Sequence, residues 1–68
     1  MTTAARITAA VETFPGSATA LAQGLGVSRA TLYAWMRGQR TATEQDAERV
    51  VTLASRMTRN ALERLEAL

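Results

Sequence analysis

Residues 18–37 read ATALAQGLGVSRATLYAWMR, and the spacing inside this stretch decides the fold. Ala18, Leu21, Ala22 and Leu25 recur three and four apart, so they line one face of a helix. Gly26 follows where a left-handed residue ends a helix at no steric cost, and Val27 comes next to fill the angle that opens there. Ser28 offers a hydroxyl N-cap to a second helix, in which Leu32 and Trp35 lie three apart and share an inner face. Small Ala22 stands where two such helices approach closest. A small residue, a glycine four positions on, a plug, a cap and an apolar pair are together what two helices crossing at about 90–120° require, the helix-turn-helix arrangement.

Working outward, Ile7, Ala10, Val11 and Phe14 predict a first helix over residues 3–13 that Pro15-Gly16 halts. Ser17 is the N-cap expected for the next helix, which Gly24 or Gly26 ends. The third helix is expected over residues 29–37, with Gly38 marking its end. Thr43 and Asp46, three apart, resemble a capping box for a fourth helix whose apolar positions are Ala47, Val50, Val51, Leu53, Ala54 and Met57. Thr58 can cap a last helix carrying Ala61, Leu62, Leu65 and Leu68, or the two can be one bent helix. Strand-like alternation is missing, so residues 1–68 are expected to form one all-α unit of four to five short helices.

The 68 residues include no histidine and no cysteine, which removes the usual general base, the commonest metal ligand, thiolate sites and disulfides. No enzymatic role, metal, cofactor or small-molecule ligand is therefore expected. No stretch is long and apolar enough for a membrane span, and the beginning lacks the basic start and apolar run of a signal peptide, so the expected location is cytoplasmic. Net charge is only +2, with all eight bases arginine, so placement rather than total charge must carry any case for nucleic acid. Placement is uneven. Residues 15–43 hold Arg29, Arg37 and Arg40 and no acid, whereas residues 44–68 hold four arginines against five acids.

With Leu32 and Trp35 inside, helical geometry sends Arg29, Ala30, Tyr33, Ala34 and Arg37 to the opposite face, the one a helix-turn-helix lays in the DNA major groove. Ser28, Arg29, Ala30, Tyr33 and Ala34 are the candidates for base contact. Arg29 leads them, because its forked guanidinium matches guanine O6 and N7; the competing reading pairs it with phosphate or leaves it in solvent. Tyr33 can equally pack against the preceding helix, and the two alanines can be simple helix filler. Ser17, Thr19, Arg37, Gln39 and Arg40 are the candidates for phosphate contact, since free N–H groups at helix starts and a basic cluster both attract anions. Trp35, which in principle can serve as a ligand platform, falls on the apolar face and is read as core.

The run LAQGLGVSRATLYAWMRG, followed by MTRNAL, resembles the Cro and YdaS-type repressor-like proteins of bacterial phages and prophages, over roughly residues 14–62. The resemblance implies a lambda-repressor/Cro-like helix-turn-helix domain with residues 28–37 as recognition helix, dimers on palindromic double-stranded DNA operators, and a bacterial or phage-infected host cell. One departure stands out: the proline common after the tryptophan-glycine loop is replaced by Thr41-Ala42-Thr43.

A homodimer placing two recognition helices in successive major grooves needs a contact between copies, and residues 57–68 supply candidates in Met57, Leu62, Leu65 and Leu68. The same residues can instead close the core of a single copy. Transcriptional repression by occupying a promoter is the function this reading implies. The rival is an antitoxin-like or adaptor module whose main partner is another protein.

Overall fold

All four helices begin on a hydroxyl side chain that accepts a backbone N–H three residues on. Thr2 accepts from Ala5 at 3.1 Å, Ser17 from Ala20 at 3.1 Å, Ser28 from Thr31 at 3.0 Å and Thr43 from Asp46 at 3.0 Å. Each bond satisfies one of the N–H groups a helix start leaves without a partner. Thr43 goes further, because its own N–H donates to Asp46 Oδ2 at 3.1 Å and completes a capping box. The computed structural model describes all 68 residues. The helices are α1 (Thr3–Thr13), α2 (Ala18–Leu25), α3 (Arg29–Met36) and α4 (Glu44–Glu66), and no strand is present. No helix is long and apolar enough to cross a membrane.

Two of the three connections are closed by glycine. At the end of α2, Gly26 adopts φ +75°, its N–H donates to Gln23 O, and Val27 N–H donates to Ala22 O. This is the Schellman arrangement, and it satisfies carbonyls that the helix end would otherwise leave bare. The end of α3 repeats it with Gly38 at φ +73°, Gly38 N–H on Trp35 O and Gln39 N–H on Ala34 O. Gly24 does not stop α2, as one reading of the sequence had it. It lies inside the helix, and a Cβ there would stand 2.8 Å from Leu53 of α4. At Gly26 the surrounding space is open, so only the backbone conformation resists a side chain. Gly26→Ala is expected to lower stability by about 1–2 kcal/mol, and a calorimetric scan should show the thermal midpoint falling by roughly 4–8 °C for each of these. An unchanged midpoint would mean that the turn is not left-handed in solution.

One core joins the four helices. Ile7 and Phe14 come from α1 and its end, Leu21, Ala22 and Leu25 from α2, Leu32 and Trp35 from α3, and Ala47, Val50 and Ala54 from α4. Val27 is half-buried against this cluster, in the angle between α2 and α3. Ala42 is also buried, so the loop where the resemblance leads one to expect proline is pinned by a small apolar side chain instead.

A fifth helix starting on Thr58 does not exist; α4 runs unbroken from Glu44 to Glu66. The hydroxyl of Thr58 donates back to Ala54 O at 2.8 Å. A threonine that bonds the preceding turn has its hydroxyl inside the helix rather than at a cap. The alternative in which the C-terminal leucines close the core is also overturned. Met57 packs against the core, but Leu62, Leu65 and Leu68 are 54%, 66% and 102% exposed, because α4 extends beyond the other helices.

Candidate nucleic-acid interface

The inner and outer faces of α3 are separated as the sequence spacing predicts. Leu32 and Trp35 are buried, while Ser28, Arg29, Ala30 and Arg37 are exposed. Tyr33 and Ala34 are half-buried on the flank, so these two are less open than expected. Tyr33 does more than pack. Its ring lies 5.5 Å from the guanidinium carbon of Arg29 and 5.6 Å from that of Arg37. Residues 29, 33 and 37 are each four apart and therefore stack along one side of the helix. A tyrosine face attracts cations, and a ring between two guanidiniums restrains both side chains. Restraint lowers the side-chain entropy lost when such a group later engages a ligand.

The positive charge here is not neutralised from within. The ion pairs of the protein are Arg6 with Glu44 at 2.9 Å and Arg49 with Asp46 at 3.9 Å. Arg29, Arg37 and Arg40 belong to neither. The first acids after the motif are thus already engaged, Glu44 by α1 and Asp46 by the capping box and Arg49. Residues 15–43 contain no acid of their own, so α3 and the loop after it present uncompensated arginines to solvent.

Each proposed phosphate position can be placed. Ser17 and Thr19 are exposed at the start of α2. The Ser17 hydroxyl accepts from Ala20 N–H, so its remaining capacity toward an anion is as a donor. Ser28 is in the same position and also shares a hydrogen bond of 2.9 Å with the Thr31 hydroxyl. Gln39 and Arg40 are exposed, but both of their backbone N–H groups donate to Ala34 O, at 3.0 and 3.2 Å. Only their side chains are free for an anion. The loop is thereby folded back onto the end of α3, which brings Arg37, Gln39 and Arg40 together beside the exposed face of that helix.

Several tertiary features gave no sign in the sequence. Arg49 of α4 donates from Nη2 to Leu25 O at 2.8 Å, closing the C-terminal end of α2 and fixing it to α4. Thr8 Oγ1 donates to Met36 O at 3.4 Å and ties α1 to the end of α3. An open apolar groove of about 670 Å³ lies between α1 and α4 on the side of Ala9, Thr13, Ser55 and Leu62. Each depends on residues far apart in the chain, for which helical periodicity gives no signal.

No family model matches the chain, and neither a curated protein nor a solved structure matches it.

Proposed function

We propose that the protein is a sequence-specific double-stranded DNA-binding protein of the helix-turn-helix kind, a lambda-repressor/Cro-like transcriptional repressor that is not an enzyme and acts in the cytoplasm. The observation that carries this reading is the Arg29–Tyr33–Arg37 ladder on the exposed face of α3, free of any carboxylate. In the proposed complex α3 enters the major groove with its N-terminal residues toward the bases. Arg29 reads a guanine edge, Tyr33 holds Arg29 and Arg37 in place, and Ala30 and Ala34 leave room for the bases to approach. Ser28 stands at the edge of this base-reading set. Ser17, Thr19, Arg37, Gln39 and Arg40 grip phosphates on either side and set the register. Two copies occupy half-sites about 34 Å apart on a palindrome, and occupancy of a promoter excludes polymerase.

The exposed leucines of α4 favour, in addition, a protein partner for the far end of the molecule. A second copy of the chain meets that requirement without a separate function.

Selection from a randomised duplex pool tests the proposal, followed by competition binding with single-base variants of the selected site. Arg29→Ala is expected to relax preference at one base pair per half-site by about 1–3 kcal/mol. Arg40→Ala is expected to weaken all duplexes about equally. A pool that yields no enriched sequence would remove base-specific readout, and unchanged discrimination by Arg29→Ala would move that side chain to the phosphates.

A further inference from the structure

We infer that the groove between α1 and α4 is the seat for the last turns of α4 from a second copy of the chain, so that two copies exchange helix ends across a two-fold axis. This rests on the dimeric part of the proposed function and supplies its contact, but it makes no use of DNA.

The apolar stripe of α4 outlasts the fold beneath it. Val50, Ala54, Met57, Ala61 and Leu65 recur three and four apart and share one side. Val50 and Ala54 are buried and Met57 packs on the core. Beyond them the same stripe continues into Leu65, which is exposed, and Leu68 follows just past the helix end, exposed as well. A core-type face therefore extends past the core that should cover it, and exposed apolar surface of this kind marks an association site.

The groove matches what projects. Its sides carry small residues of α1, Ala9, Ala10 and Thr13, and residues of α4 from Val51 to Leu62, a length of about 16 Å at 1.5 Å per residue. The projecting turns, residues 58–66, span about 12 Å. Small side chains let a helix approach closely. Leu62 belongs to both surfaces, since it lines the groove and begins the projecting leucine set. Groove and insert are thus adjoining parts of one surface, and a two-fold contact that places each insert in the other groove closes on itself with no open end left to extend.

Charge agrees with shape. The groove is lined by Arg6 and Arg59 and by no carboxylate. Arg6 is held by Glu44, and Arg59 has no acidic partner within its own chain. Past Arg59, which lines the groove, residues 60–66 carry Glu63 and Glu66 against Arg64, so an acid from the tip of the second copy's helix can meet Arg59. None of the groove residues belongs to the Arg29–Tyr33–Arg37 face, so both surfaces can be occupied at once.

Sedimentation equilibrium of the full chain without DNA, at micromolar concentration, tests this. The expected result is a dimer. Leu65→Glu, which spoils the insert, should weaken it by roughly a hundredfold or more, because each dimer loses two buried leucines. Ala9→Trp, at an exposed position on α1, should obstruct the groove and weaken the dimer likewise, with far-UV circular dichroism showing both variants still helical. The two variants mixed should regain part of the dimer, since one intact groove then meets one intact insert. A monomeric parent chain overturns the inference and leaves the groove to a different protein. A dimer abolished by Leu65→Glu but indifferent to Ala9→Trp overturns it too, in favour of α4 pairing with α4 alone.

Discussion

Trp35→Ala is expected to leave the chain largely unfolded at room temperature, while Tyr33→Ala, two positions earlier on the same helix, is expected to leave it folded. Trp35 is 7% exposed and belongs to the core, and Tyr33 is half-buried on the flank. Removing a buried tryptophan costs about 3–5 kcal/mol. A domain near this size buries only about 60% of its unfolded surface, and at roughly 0.05–0.15 kcal/mol per residue its whole stability is of the same order as that loss. Tyr33→Ala gives up two exposed cation–π contacts, each about 0.5–1 kcal/mol, and a fraction of a buried side chain. Urea titrations followed by circular dichroism, at one fixed protein concentration because association adds to apparent stability, compare the two variants. Leu32→Ala gives a companion measurement in which Trp35, the only tryptophan, reports unfolding by its fluorescence. Should Tyr33→Ala unfold the protein and Trp35→Ala leave it intact, the two faces of α3 would be reversed and the proposed interface would be the core.

The starts of the helices were legible because capping is local. Ser17, Ser28 and Thr43 each act within three residues of themselves, and the sequence places a hydroxyl at each point where an apolar rhythm begins. Gly26 and Gly38 were legible for the same reason. Thr58 misled because one hydroxyl chemistry serves two ends: capping a new helix, or bonding back to Ala54 within an existing one. Only the continuing backbone decides between them. The arginine cluster could be seen as charge without nearby acid. What the sequence did not show is that Tyr33 lies beside both Arg29 and Arg37, or that Glu44 is drawn off by Arg6, a residue on another helix. Ala42 in a polar loop gave no sign of burial. The groove between α1 and α4 was invisible for a deeper reason: it is made by the relation of two helices thirty residues apart in the chain, and neither helix encodes that relation alone. The exposure of Leu62, Leu65 and Leu68 follows from how far the other helices reach, which is likewise a tertiary fact.

The second large effect is that of salt on DNA binding. Arg29, Arg37 and Arg40 have no acidic partner; with Arg37 and Arg40 against phosphates and Arg29 bringing a third positive charge into the groove, binding would release condensed cations from the DNA. If each copy neutralises about three phosphates, a dimer neutralises about six, and each contributes roughly −0.9 to the slope of log affinity against log salt. The slope should lie near −5, so that raising salt from roughly 50 to 200 mM weakens binding about a thousandfold. Arg37→Ala and Arg40→Ala should each make the slope shallower by about 2, one phosphate per copy. The measurement is a fluorescence anisotropy titration of a labelled duplex with the full chain, repeated across that salt range. A slope near −5 that becomes shallower with each arginine removed is the predicted result; a slope near zero, or no binding even at the lowest salt, would contradict the assignment of DNA as the partner.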